Sequence, residues 1–203
     1  MIYVLAGAVA AYLLGSFPTA FVFCRLFKGI DIREHGSGNV GATNVFRTAG
    51  KKLGVVVFVV DFLKGTVAVT LIPLVIHKLF PEARPWGDNA FLILGAAAIS
   101  GHIWTIFLKF KGGKGVATTA GVMCGLAPLI LLCGLAIWAG VFYFSRYVSL
   151  ASIAAAAALP VLSLITGKDI YFTLFAVILC VVGIYSHRSN IKRLMNGTEK
   201  KIA

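Results

Sequence analysis

Uninterrupted apolar runs constrain this chain more than any other feature; they occupy 1–23, 53–80, 90–108, 116–144, 148–165 and 170–186. A helix rises about 1.5 Å per residue and a bilayer's hydrocarbon core is about 30 Å thick, so about 20 apolar residues cross it. The last run just reaches. Backbone N–H and C=O groups have no water partner inside lipid, so only helices or closed barrels cross it. These runs do not alternate as barrel strands do. The reading is an all-α, polytopic integral membrane protein, with 1–203 as one domain. Composition agrees: 59% of residues are hydrophobic, 13% are charged and mean hydropathy is +0.93. Soluble domains carry about a quarter charged residues, which disfavours a water-soluble globule and excludes a disordered chain.

Charge sets the expected orientation. Lys and Arg number 19 against 7 Asp and Glu, a net charge of +12. Basic residues dispersed between membrane-length runs read as cytoplasmic loops and phosphate-bearing partners rather than a nucleic-acid surface. The first run lacks a basic leader, and Arg25 and Lys28 follow it, which differs from a signal peptide and puts the N-terminus outside. If 116–144 crossed once, the tail with Arg188, Lys192, Arg193, Lys200 and Lys201 would lie outside. That run contains Gly125-Leu-Ala-Pro128, a helix-breaking sequence. Two helices, 116–126 and 128–145, make about seven spans and return the C-terminus to the cytoplasm. Lys78, Arg84 and Lys168 then face out, and Lys64 is intramembrane. Gly121, Gly125 and the Ala154–Ala158 run read as close helix-packing surfaces. Cys24, Cys124, Cys133 and Cys180 form no CxxC, and neither a disulfide nor a metal site is expected.

This topology brings three polar clusters to the cytoplasmic face. The first is Gly36-Ser37-Gly38-Asn39-Val40-Gly41-Ala42-Thr43-Asn44, followed by Arg47. It matches GxGxxG formally, but no strand precedes it, so the dinucleotide reading fails. Two readings stay open: glycine N–H groups and Ser37, Asn39, Thr43 and Asn44 cradle an anion, or the segment is a turn with Thr43 or Asn44 as N-cap. The second cluster runs from Gly101-His102 through Lys109, Lys111, Gly112, Gly113, Lys114 and Gly115 to Thr118. It lacks P-loop spacing, yet a glycine loop with three lysines opening onto a helix near Val116 is suited to an anion. His102, near the end of an apolar helix, reads as a structural hydrogen-bonder. The third cluster, His187 to Lys201, puts His187, Asn190 and Ile191 on one helical face; alone, it reads as a basic amphipathic tail. Inside a span, Asp61 and Lys64 at i and i+3 read as a mutually satisfied pair.

Together these clusters resemble the bacterial membrane acyl-phosphate:glycerol-3-phosphate acyltransferase family. GSGNVGATN, GH…FLKFKGGKGVAT and HxxN…GTEK are similar to its three cytoplasmic motifs, and Tyr12-Leu-Leu-Gly-Ser-Phe-Pro18 and Asp61-x-x-Lys-Gly65 match as well. The resemblance implies seven spans with the N-terminus outside, a bacterial inner-membrane location and a cytoplasmic site. It implies acyl transfer from acyl phosphate to the 1-hydroxyl of sn-glycerol 3-phosphate, giving lysophosphatidic acid and phosphate. Membrane lipid surrounds such a protein, and a soluble enzyme supplying acyl phosphate is a candidate partner. Ser37, Arg47, Lys114, His187 and Asn190 are then the expected catalytic set. Gly36, Gly38, Asn39, Gly41, Thr43, Asn44, His102, Lys111, Gly112, Gly113, Gly115 and Thr118 are expected to line the phosphates, with no cofactor.

Paired phosphates repel, so the expected role of Arg47 and Lys114 is to shield charge. The His-x4-Asp arrangement of other glycerolipid acyltransferases is absent; its nearest echo, His77…Glu82, lies on the predicted outer face. Acyl phosphate is already activated, so the donor's own phosphate is the expected proton acceptor, with His187 as the rival base. An anion transporter is the competing class, but it would place its polar groups near the midplane with access from both sides.

Overall fold

A computed structural model describes residues 2–81 and 88–201, which leaves Glu82 and Arg84 outside the described residues. The order is α1 (Ile2–Ser16), α2 (Thr19–Lys28), α3 (Ala42–Thr48), α4 (Lys51–Leu79), α5 (Asp88–Ile103), α6 (Val116–Leu126), α7 (Pro128–Ser145), α8 (Val148–Ile165), α9 (Ile170–Ser186) and α10 (Arg188–Met195). No strand occurs among the described residues. Among the described residues, five stretches are long and apolar enough to cross a bilayer: Ile2–Lys28, Lys51–Leu79, Asn89–Leu108, Pro128–Ser145 and Val148–Ile165. The pair Ile170–Ser186 and Arg188–Met195, bent by 56°, makes a sixth when the two helices are counted as one span. The expected crossing at 116–126 is short. Its 11 residues rise only about 16 Å, little over half the hydrocarbon thickness.

The chain forms two compact units, Met1–Leu126 and Ala127–Ala203. The division falls where the helix-breaking sequence predicts a hinge: Ala127 leaves helical geometry (φ −154°, ψ 70°) and Pro128 opens α7. Proline suits that first position because its missing N–H is one the helix start leaves unused anyway.

In the first unit, α1 packs on α5, and α4 packs on α1, α3, α5 and α6. Glycines set these approaches. A Cβ on Gly15 would overlap the Ala98 carbonyl, and one on Gly101 the Tyr12 carbonyl. On α4 and α6, a Cβ on Gly65 would meet the Thr118 carbonyl and one on Gly121 the Phe62 carbonyl. Thr66 Oγ1 donates to the Gly121 carbonyl at 3.0 Å across the same contact. Lipid tails are as apolar as leucine, so helix association in membranes relies on such close packing and cross-helix hydrogen bonds.

In the second unit, α7, α8 and α9 pack in chain order, with α10 against α8 and α9. Trp138 Nε1 donates to Ser152 Oγ at 3.1 Å. A Cβ on Gly183 would lie 3.2 Å from the Ala156 methyl, so the alanine run of α8 does form a close-packing surface. Outward faces in both units carry exposed Leu, Ile, Val and Phe, the surface a lipid solvent requires.

Candidate active site

The first glycine segment stands on an apolar base. Ile32, Val40 and Val45 are buried with Ala20 and Cys24 of α2, Val57 of α4 and Leu108. Asn44 then ties the segment together. It is 3% exposed; its Oδ1 accepts the Ser37 N–H at 3.0 Å, and its Nδ2 faces the carbonyls of His35 at 2.9 Å, Asn39 at 3.1 Å and Ile32 at 3.3 Å. Gly36 (φ 61°) and Gly38 (φ 69°) adopt left-handed backbone, and a Cβ on Gly36 would overlap Asn44 Oδ1. Neither open reading of Asn44 holds. The N-cap of α3 is Gly41, so Thr43 and Asn44 are inside the helix and Asn44's amide is spent on the loop's own backbone. What this scaffold presents outward is Ser37 and Arg47, both exposed. Asn39, Gly41 and Thr43 are half-buried beside them.

Upstream, Asp31 accepts from the Arg33 backbone N–H at 3.0 Å and from its Nε at 2.9 Å. The Arg33 guanidinium holds the Asp31 carboxyl down at about 2. That guanidinium also lies 4.8 Å above the Phe21 ring.

The second glycine segment is a tight loop. Thr105 starts it, with Oγ1 accepting the Phe107 N–H at 3.2 Å. Lys109 (φ 52°) and Phe110 (φ 61°) hold left-handed backbone, a conformation non-glycine residues keep only where surrounding structure enforces it. The Phe110 N–H donates to the Thr105 carbonyl at 2.8 Å. Gly112 and Gly113 do not offer their N–H groups to a phosphate: they donate to the Ile103 carbonyl at 2.9 Å and the His102 carbonyl at 3.1 Å. Both need to be glycine for packing. A Cβ on Gly112 would overlap the His102 carbonyl, while one on Gly113 would overlap His102 Nε2 and lie 3.0 Å from the Val40 carbonyl. The two glycine segments therefore meet at Gly113. Gly115 is buried with φ 80°, and Lys114, between Gly113 and Gly115, is half-buried where Lys111 is exposed. Thr118 is fully buried, with no hydrogen-bond partner for its hydroxyl among the described residues. It faces no open site; its backbone carbonyl packs under Gly65.

His102 is 7% exposed and lies beside a network that the sequence shows only as an Asp–Lys pair. Asp61 Oδ1 accepts from Lys64 Nζ at 2.8 Å and Thr19 Oγ1 at 2.9 Å, and lies 3.7 Å from His102 Nδ1. Lys64 Nζ also donates to the Phe17 carbonyl at 3.2 Å, and Thr105 Oγ1 to the Ser16 carbonyl at 2.5 Å. Pro18 breaks α1 from α2 there and takes those carbonyls out of the helical ladder, the Phe17 carbonyl also accepting the Thr19 N–H at 3.0 Å. A small cleft is lined by Ser16, Thr19, Asp61, Lys64, His102 and Gly113, among others.

In the second unit, His187 and Asn190 are 4% and 5% exposed. His187 sits at the bend between α9 and α10, with Nδ1 2.8 Å from the Gly183 carbonyl. A carbonyl only accepts, so Nδ1 carries the proton and neutral His187 has its lone pair on Nε2. Asn190 Nδ2 donates to Glu199 Oε1 at 2.7 Å, Ser149 Oγ to the same oxygen at 2.8 Å, and Arg193 Nε to Oε2 at 2.7 Å. Burial alone raises the Glu199 carboxyl, but hydrogen bonds from Arg193, Asn190 and Ser149 outweigh it and hold the carboxyl below its usual range. Glu199 thus folds the tail back onto α8 and α10, a role legible in the sequence only as the acid of GTEK. Among the described residues, no cluster of His, Cys, Asp and Glu is suited to hold a metal ion.

Comparison with known proteins follows this geometry. A family model described as Glycerol-3-phosphate acyltransferase matches residues 5–197. The Glycerol-3-phosphate acyltransferase of Fusobacterium nucleatum is 47% identical, covering 95% of both chains. The Glycerol-3-phosphate acyltransferase 2 of Moorella thermoacetica is 48% identical, covering 98% of this chain and 97% of its own. A crystal structure of PlsY (YgiH), an integral membrane glycerol 3-phosphate acyltransferase in its glycerol 3-phosphate form, superposes with a TM-score of 0.88 at 40% identity, covering 98% and 96% of the two chains. The same protein's lysophosphatidic acid form superposes at 0.85.

Proposed function

The chain belongs to the glycerol-3-phosphate acyltransferase family, and from that membership we propose how its residues carry acyl transfer to glycerol 3-phosphate. It is a membrane acyltransferase whose product, lysophosphatidic acid, feeds phospholipid synthesis. The donor is acyl phosphate, and the site faces the cytoplasm of a bacterial inner membrane. The carrying observation is the junction at Gly113, where the Ser37–Arg47 segment and the Lys114 loop share one backbone scaffold.

Two phosphates must approach each other, so most of the work is electrostatic. Arg47 and Lys114 neutralise phosphate charge, and Ser37 donates a hydroxyl; a preorganised cation costs no reorganisation when the transition state forms. The 1-hydroxyl oxygen attacks the acyl carbonyl carbon, and the bond from that carbon to the phosphate oxygen breaks. The leaving phosphate takes the hydroxyl proton, which balances the step without a protein base. His187 and Asn190 orient the acceptor, with His187 Nε2 accepting from a hydroxyl. Because acyl phosphate is an activated donor, positioning supplies what the reaction lacks.

Detergent-purified protein should release phosphate from acyl phosphate only when glycerol 3-phosphate is present; release independent of the acceptor would overturn the assignment. In the proposed topology the N-terminus is outside and the clusters are inside. Cysteines at Asn39 and Asn196 should then react only from the cytoplasm, and one at Lys168 only from outside. His187→Gln has no basic nitrogen, so it should keep appreciable turnover at saturating glycerol 3-phosphate. A thousandfold fall with folding intact would instead make His187 the base.

A further inference from the structure

The buried network under His102 has no part in the reaction above, yet it touches the phosphate loop through the ring and the carbonyl of His102. Asp61 holds Lys64 at 2.8 Å and Thr19 at 2.9 Å, and faces His102 Nδ1 at 3.7 Å. That last separation is too long for a hydrogen bond but close for a ring dipole beside a carboxylate. The other edge of the same ring is His102 Nε2, against which Gly113 is pressed so tightly that a Cβ there would overlap it. The His102 carbonyl takes the Gly113 N–H, and the adjacent Ile103 carbonyl takes that of Gly112. Lys114 is the next residue. An ion pair inside a span is costly, and α4 carries this one although apolar residues of similar volume would pack there without that cost.

We infer that Asp61 and Lys64 are positioning residues: with His102 they form a buried strut that fixes the height of Gly112–Gly113, and so where Lys114 meets phosphate. The inference rests on the reading of Lys114 as a phosphate ligand. Neither Asp61 nor Lys64 touches substrate. The strut meets the two glycines of the loop through His102, so its loss acts on phosphate binding and leaves the acyl-transfer step intact once substrate is bound.

The test uses the purified full chain with steady-state kinetics in both substrates, acyl phosphate and glycerol 3-phosphate, each varied at saturation of the other. Asp61→Asn/Lys64→Met removes the pair without stranding a charge, and His102→Gln works from the other end with the pair intact. Each should raise KM for a phosphate-bearing substrate about tenfold while kcat stays within threefold; the substrate affected identifies whose phosphate the loop holds. The combined variant should be no worse than the poorer of the two, because both cut one line of support. If the paired variant does not fold, His102→Gln decides alone by the same KM and kcat criterion. Unchanged KM values with a fall in kcat, or effects that multiply, would overturn the strut. Lys114→Ala separates the premises: if it leaves both KM values unchanged, the phosphate-loop reading falls, whatever the strut variants do. If it raises KM and they do not, only the strut falls.

Discussion

Replacing Glu199 with alanine tests whether the tail is a built part of the protein or a solvated appendage. The side chain is 4% exposed and takes three hydrogen bonds, from Asn190, Ser149 and Arg193. Hydrogen bonds to a charged group contribute about 1.5–3 kcal/mol each, and exposed ion pairs about 0.2–1 kcal/mol. Asn190 and Ser149 are buried, so their two bonds count fully, while the Arg193 bond is discounted because that side chain is 36% exposed. The loss comes to about 3–7 kcal/mol. Glu199→Ala should therefore lower the thermal midpoint in detergent by several degrees and cut turnover, since Asn190 loses the partner that orients its amide. Glu199→Gln should fall between, because it keeps an acceptor for Asn190 and Ser149 but sets an amide against Arg193. The pH dependence has a fixed sign. A carboxyl held below its unfolded value contributes stability that is complete above about pH 4.3 and lost as pH falls through the folded value. Wild type should lose midpoint on that acid limb, and Glu199→Gln should lose less. A Glu199→Ala protein with wild-type midpoint and turnover would refute the reasoning.

Three further substitutions probe the scaffold. Gly113→Ala puts a methyl on His102 Nε2 and close to the Val40 carbonyl; KM for a phosphate-bearing substrate should rise at least tenfold in steady-state assays with the protein still folded. Asn44→Ala removes the amide that bridges Ser37 to the carbonyls of Ile32, His35 and Asn39; about 2–4 kcal/mol of stability and most turnover should be lost, as read by thermal melting and phosphate release. Gly121→Ala forces α6 off the Phe62 carbonyl of α4; overpacking of this kind costs about 1–3 kcal/mol or more, which should appear as a lowered midpoint, whereas the control Gly134→Ala, with nothing within 4 Å of its Cβ position among the described residues, should leave the midpoint unchanged.

Helix positions were legible because lipid imposes one rule on every residue of a span: the runs at 128–145, 148–165 and 170–186 reappear as α7, α8 and α9. The break at Pro128 was legible for the same reason, since few sequences stop a helix so locally. Side-chain commitments were not. Asn44 is polar in a polar loop whether it binds an anion or its own backbone, and only the fold shows its amide is spent. Gly112 and Gly113 signal close approach, but the sequence does not say to what; the partner is a histidine edge rather than a phosphate. Asp61 and Lys64 were visible as a pair because i and i+3 meet on a helix, whereas Thr19 and His102 lie 42 and 41 residues away along the chain. Seven spans followed from charge parity, which counts ends and ignores length, and so the shortness of α6 was invisible to it.

The Pro18 break has a consequence for how this protein is made. Splitting α1 from α2 leaves the Ser16 carbonyl without the regular helical partner and the Phe17 carbonyl with the Thr19 N–H at 3.0 Å in its place, and lipid offers the Ser16 carbonyl nothing. Their side-chain donors, Thr105 and Lys64, come from the loop just after α5 and from α4, segments that leave the ribosome long after α1. The α1–α2 segment is therefore complete as a lipid-soluble object only once the loop after α5 is made. Until then it suits the insertion machinery, or the lipid–water boundary, better than the open bilayer. A nascent chain arrested before Thr105 emerges should remain crosslinkable to the insertion channel through residues near Pro18, and release should coincide with the arrival of α5.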